Sequence, residues 1–250
     1  MLKKSEPTIQ TPVHEKYRFK PLKGSSHHWA LAQMRGKLGT SRVLDVGAGG
    51  GGLGKCVRDE APAALVAVEP DTRAHETLRR IYDSVHPNLI ALSETRFDWI
   101  LVMDVLEHTP SPEVFLSEIR KLLAPGGKLL ISVPNVAHWS VRVPLFFWGS
   151  FEYKPLGIMD KTHLHFFYQR SFRRLCSSLP GCRVVSESAS IEPFELALPS
   201  WLGRSVLYRA LIPIRLGLAR TFRGLFAYQL LAVIETGLES KEREQSGTSS

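Results

Sequence analysis

Arg42-Val43-Leu44-Asp45-Val46-Gly47-Ala48-Gly49-Gly50-Gly51-Gly52-Leu53-Gly54 decides the fold. An aliphatic run carrying one acid meets a loop dense in glycine, and the loop gives way to a helix-compatible segment. The order is strand, tight turn, helix start. Glycine at such density costs backbone entropy, so it belongs where the chain takes positive φ or where another molecule comes close to the backbone. A nucleotide-like guest is the natural occupant.

Two kinds of guest fit. Gly47, Gly49 and Gly52 have the spacing of a dinucleotide fingerprint, and Glu69, which follows Ala64-Leu65-Val66-Ala67-Val68, lies where an acid accepts ribose hydroxyls. Asp45, however, stands before the first glycine, where a carboxylate meets an ammonium better than a pyrophosphate. On these residues, Val43-Leu44-Asp45-Val46-Gly47-Ala48-Gly49 resembles motif I of the class I S-adenosylmethionine-dependent methyltransferases. The resemblance implies S-adenosyl-L-methionine as cofactor, with contacts at Asp45, Gly47, Gly49, Gly51, Glu69 and Pro70.

Working outward, the spacing predicts a helix from His27 to Leu38 before this strand and another from Leu53 to Glu60 after it. Asp71 caps a third helix reaching about Ser84. Asn88-Leu89-Ile90-Ala91-Leu92 reads as the third strand, and Phe97 to Asp104 is an almost continuous apolar run, as expected of a strand buried on both faces. Strands alternating with helices imply a parallel sheet, with ligands at the carboxyl ends of the strands. Asp45, Glu69 and Asp104 all fall there. Met103-Asp104-Val105-Leu106-Glu107-His108 resembles the family's fourth-strand motif, which implies Met103 and Asp104 on the adenine side. Leu123 to Asn135 resembles the turn and strand that follow. Family members carry a longer connection with an acid after the third strand. Here only Ser93-Glu94-Thr95-Arg96 intervenes, and Glu94 is the one acidic candidate.

The implied architecture is a doubly wound, Rossmann-like α/β methyltransferase sheet of seven strands. Its last strand is antiparallel and a helical insertion precedes it. Gln169–Leu179 reads as a helix, Cys182–Ser190 as a strand and Phe226–Ile234 as the last strand. Residues 1–22 read as a flexible basic arm, 23–238 as the domain and 239–250 as a disordered tail. Within the domain, 135–170 forms an acceptor-side insertion. Residues 196–234 contain no acid, while Arg204, Arg209, Arg215, Arg220 and Arg223 punctuate apolar residues. This reads as a basic amphipathic insertion over 196–225, split by Pro213 into two short helices. Its functional reading is contact with an anionic membrane; its structural reading is a cap on the sheet with snorkelling arginines.

Asp160-Lys161-Thr162-His163-Leu164-His165-Phe166-Phe167 resembles a segment of the methionine-biosynthesis-like branch, found in cell-surface glycan and lipid pathways. The branch implies a small-molecule or glycan/lipid-linked acceptor, methylated at oxygen. Methyl transfer to oxygen or nitrogen needs alignment and a proton acceptor, and the candidates are His163, His108 and His165. Asp160 either orients His163 or caps the turn. Asp104, Glu107 and His108 also resemble an acid-x-x-Glu-His pattern that some related methyltransferases use for magnesium. The same residues are widespread in the family without an ion, and no metal is assigned.

At 250 residues and 44% hydrophobic, the chain supports one full core. Its charge of +8 comes without a Lys/Arg block of nucleic-acid type, so nucleic acid is not expected as partner. Three cysteines without ligand spacing fit a reducing compartment, and the absence of a long apolar run makes the cytosol the default location. The rival readings are a cofactor-binding module without catalysis, a nucleic-acid methyltransferase and a nicotinamide-dependent dehydrogenase.

Overall fold

The computed structural model describes residues 23–192 and 206–237. Its strands are β1 (Arg42–Val46), β2 (Ala64–Val68), β3 (Ser84–His86), β4 (Phe97–Met103), β5 (Leu123–Pro134), β6 (Cys182–Ala189) and β7 (Gln229–Thr236). The helices are α1 (Ser26–Met34), α2 (Gly52–Arg58), α3 (His75–Leu78), α4 (Pro112–Lys121), α5 (Trp139–Trp148), α6 (Gln169–Ser177), α7 (Val206–Thr221) and α8 (Arg223–Phe226). All seven strands form one sheet in the order β3-β2-β1-β4-β5-β7-β6. The first five pair in parallel, and β7 runs antiparallel to both β5 and β6. This is the sheet that the motifs imply.

Parallel strands need cover on both faces, and alternate side chains of one strand feed two cores. Leu44, Val46, Ile100 and Val102 pack on one side against Leu116 and Ile119 of α4 and Phe172 and Leu175 of α6. Val43, Leu65, Ala67 and Leu101 pack on the other against Ala30 and Met34 of α1 and Leu53 and Val57 of α2. The apolar runs are therefore two interleaved stripes. Helix α1 is shorter than its spacing predicts, and Ser25 caps it by accepting the His28 N–H at 3.1 Å. No helix among the described residues is long and apolar enough to cross a membrane.

Four expectations are corrected. The third strand is not at 88–92 but at Ser84–His86, where it pairs with Val66–Val68. Pro87 has no N–H to continue the ladder, so the strand ends before it. Asn88 then accepts the Ile90 N–H at 3.0 Å and starts a 3-10 turn over Ile90–Leu92. The helix expected to reach Ser84 is a 3-10 turn, Thr72–Ala74, followed by the single turn of α3. It stops because Asp83 turns back onto β2, its N–H donating to Leu65 O at 2.8 Å and its carboxylate accepting the Leu65 N–H at 2.7 Å. The last strand begins at Gln229, since Arg223–Phe226 forms α8. Finally, α7 runs unbroken through Pro213. Ile212 and Ala219, seven residues apart on one helix face, are both buried in the sheet's core, and that anchorage holds the helix together across the missing N–H.

The arm at 1–22, residues 196–205 of the basic insertion and the tail at 239–250 lie outside the described residues, Arg204 among them. Arg209's side chain is likewise outside them, and Arg215 and Arg223 do not join an outward basic face. Arg215 donates to Glu192 O at 2.6 Å, and Arg223 pairs with the Glu187 carboxylate at 2.8 Å. Leu211, Ile214, Leu218 and Phe222 are the exposed stripe instead.

Candidate active site

One buried acid closes on the glycine loop, and a second stands just before it. Glu69, one residue past β2, is buried and accepts the Gly49 N–H at 2.7 Å and the Asp71 N–H at 2.9 Å. Asp45, inside β1, is buried with Oδ2 accepting the Tyr82 hydroxyl at 2.6 Å. Burial pushes the Asp45 carboxyl up to about 6, against the Tyr82 hydrogen bond, with the Glu69 charge adding to the rise. Tyr82 reaches Asp45 only because residue 54 is glycine: a Cβ there would stand 1.9 Å from the Tyr82 hydroxyl oxygen. Tyr82 carries no motif signature, so sequence reasoning passes over it.

Gly47 takes φ +76 and Gly51 the same value at the start of α2, a region closed to most side chains. Beside Gly47 opens a cleft of about 830 Å³ at the carboxyl ends of β1 and β2, lined by Gly47, Val68, Pro70, Val105, His108 and Phe115 among others. That volume lies in the range of ligand sites. Ser93 lines the cleft; Glu94 is exposed and outside the lining. Met103 points into the core beside α1 and α2.

Asp104 sits just past β4 with φ +57, unusual for a residue with a side chain. Its N–H donates to Ser132 O at 3.1 Å, and its carboxylate accepts Ser132 Oγ at 2.6 Å and the Gln229 side-chain amide. Gln229 in turn accepts the Ser190 hydroxyl at 2.7 Å. The network ties the ends of β4, β5, β6 and β7 together. Asp104 is thus engaged within the sheet rather than aimed into the cleft, and no local pattern announces it.

The insertion after β5 folds back over this rim. Asp160 is fully buried and its Oδ1 accepts the N–H and the hydroxyl of Thr162, each at 2.9 Å, which caps the turn leading to His163. His163 is buried, its Nδ1 2.9 Å from Ile158 O; burial and the neighbouring His108 hold its pKa below the usual value. The two imidazole rings stand edge to face, 4.9 Å between centroids. His108 Nδ1 lies 3.2 Å from Thr162 O, and His165 turns aside to Pro110 O. Glu107 is 1% exposed, neither of its carboxylate oxygens has a hydrogen-bond partner among the described residues, and burial raises its pKa well above the carboxylate range. The fold therefore gathers His108, His163 and Asp160 at one place, beside the cleft and not inside the glycine loop.

Comparison with known proteins agrees with this geometry. The family described as "Methyltransferase domain" matches residues 17–187. The ubiquinone biosynthesis O-methyltransferase of Xanthomonas oryzae pv. oryzae is 34% identical over 107 residues, 39% of this chain and 45% of that protein. Its counterpart in Coxiella burnetii is 31% identical over 101 residues, 37% of this chain and 43% of that protein. The matched region thus spans less than half the length of these curated relatives. Among solved structures, a SAM-dependent methyltransferase from Archaeoglobus fulgidus superposes with a TM-score of 0.55 at 19% identity, over 84% of this chain and 94% of that one. The N-methyltransferase NodS from Bradyrhizobium japonicum, solved with S-adenosyl-L-homocysteine, superposes with a TM-score of 0.52 at 15% identity, over 84% of this chain and 85% of that one. These likenesses are likenesses of fold. The family match covers well over half of the 250 residues, over the same strand order and acid-closed glycine loop, and the protein belongs to the class I methyltransferase domain family.

Proposed function

We propose that the protein transfers a methyl group from S-adenosylmethionine to an oxygen of a small-molecule or glycan/lipid-intermediate acceptor. The observation that carries this reading is a buried acid, Glu69, closing on the glycine loop, and a second, Asp45, buried just before it, next to an apolar cleft of ligand size. When bound, S-adenosylmethionine supplies an activated methyl group with its own leaving group. Asp45 then takes the cofactor's ammonium, which compensates the cost of ionising a buried carboxylate, and Glu69 takes ribose hydroxyls. Gly47, Gly49, Gly51 and Pro70 shape the loop for close approach. His108, which lines the cleft, receives the acceptor hydroxyl's proton, His163 stands behind it and Asp160 holds the turn between them. The names of the curated relatives favour oxygen as acceptor atom.

A cytoplasmic protein resting on an anionic membrane suits a lipid-linked acceptor. This part of the proposal draws on Arg220 beside the exposed apolar stripe of α7, and on Phe146, Phe147 and Trp148 at the end of α5. Calorimetric titration with S-adenosylhomocysteine, repeated on Asp45→Ala and beside NADH, tests the central claim. Saturable binding to the wild type, lost in the variant and absent for NADH, is the expected result. Binding of NADH alone would return the dehydrogenase reading.

A further inference from the structure

We propose that Tyr82 is a positioning residue for the cofactor's ammonium and acts through Asp45, its hydroxyl fixing that carboxylate in place and favouring its charged form. The inference rests on the methyl-transfer reading, in which Asp45 takes the ammonium, and deepens it by adding the residue that stands behind Asp45.

Asp45 lies inside β1, with Ala67 of β2 on one side and Leu101 of β4 on the other. Neither side chain can hydrogen-bond a carboxylate, so its orientation must be set from elsewhere. Tyr82 sets it. The hydroxyl donates to Oδ2 at 2.6 Å, the length of a bond from a hydroxyl to an ionised oxygen. One oxygen is thereby committed, and Oδ1 is left for the ammonium. Tyr82 is itself fixed through both of its chain neighbours: Arg58 Nε donates to Ile81 O at 3.0 Å, and the Asp83 carboxylate accepts the Leu65 N–H at 2.7 Å.

Helix α2 makes room for this contact. Gly54 is not among the glycines with positive φ, and a helix interior disfavours glycine, so its backbone does not call for one. A Cβ there would stand 1.9 Å from the Tyr82 hydroxyl oxygen and 2.1 Å from Cζ. The missing side chain is what admits the tip of the ring to Asp45. The titratable groups acting on Asp45 are Tyr82 and Glu69, and they act in opposite senses: Glu69 opposes its ionisation and the Tyr82 hydrogen bond favours it. The helices packed on this face of β1 present Ala30, Met34, Leu53 and Val57. Burial and the Asp45 charge push the Tyr82 hydroxyl well above its usual value, so it keeps its proton and stays a donor wherever the protein is folded near neutrality.

The test is calorimetric titration of the full-length protein with S-adenosylhomocysteine from pH 5.5 to 8, on the wild type, Tyr82→Phe, Asp45→Asn and the double variant. Phenylalanine keeps the ring and removes only the hydroxyl, and thermal melts at each pH report the fold. The wild type should lose affinity below about pH 6. In Tyr82→Phe that midpoint should move up by about one pH unit, so the variant binds about fivefold more weakly at pH 6 and within about twofold of the wild type at pH 8. In the Asp45→Asn background, Tyr82→Phe should change nothing further. A carbon-13 titration of the Asp45 carboxyl in the ligand-free protein should show the same upward shift. A loss of equal size at every pH, an unmoved carboxyl titration, or the same loss on removing the hydroxyl from Asp45→Asn would each overturn the inference and leave Tyr82 as packing. Those outcomes leave the cofactor reading standing, whereas a wild type with no saturable binding would overturn both.

Discussion

Asp45 keeps its proton to about pH 6 because it is buried beside Glu69, and both its stability cost and its use follow from that. The folded chain holds this proton through a range, from about 3.8 to about 6, in which the unfolded chain has lost it. Stability therefore falls as pH rises through that window and stays reduced above it. Asp45→Asn is expected to raise the melting temperature at pH 7.5, with the gain vanishing toward pH 4, as a pH series of thermal melts would read. A ligand ammonium needs the ionised form, so the affinity of the wild type for S-adenosylhomocysteine should decline as pH drops from 7 to 5, and Asp45→Asn should bind weakly without that slope. Gly47 offers a second check at the same scale. A Cβ there would lie 2.6 Å from Val105 Cγ2, and φ is +76. Gly47→Ala should cost about 2 kcal/mol in urea unfolding. Adding Val105→Ala should recover only part of it, since relieving the clash leaves the backbone strain in place.

Among the elements, α7 shows how tertiary packing overrides a local rule. A proline inside a helix costs about 3 kcal/mol, yet the buried Ile212 and Ala219 carry the helix past Pro213, which is itself exposed. Pro213→Ala is accordingly expected to stabilise the protein by about 1 to 3 kcal/mol, a shift of several degrees in Tm by calorimetry. The same contrast sorts what the sequence discloses from what it conceals. β1, β2, β4 and β5 are legible because strands covered on both faces must be apolar throughout, and the glycine loop is legible because its backbone demands it. β3 is not: Ser84-Val85-His86 has no strand pattern of its own and takes its conformation from three pairings with β2. Asp45, Glu69, His108 and His163 can be picked out by residue type and motif. Tyr82 on Asp45, Gln229 on Asp104 and the unpartnered carboxylate of Glu107 depend on contacts between distant segments, and no local pattern encodes those.

For the molecule as a whole, the exposed aromatics are the feature without a role inside the fold. Phe146, Phe147 and Trp148 are 82, 67 and 74% exposed, three in succession at the end of α5. Replacing all three with serine should leave the melting temperature within a degree or two, since little burial is lost. If the membrane proposal holds, the same change should sharply reduce co-sedimentation with vesicles containing anionic lipid. Unchanged sedimentation would remove α5 from that proposal. The strand order has a consequence of another kind, in the time course of synthesis. β6 is made before β7, yet β7 is the strand it pairs with, and β7 also fills the gap between β6 and β5. A nascent chain that has emerged only as far as residue 228 therefore carries the edge of β5 bare and β6 with nowhere to dock. Completion of the sheet waits until the ribosome has released the segment through Thr236, and until then the open edge of β5 is the place where a neighbouring nascent chain can pair wrongly or a chaperone must stand guard.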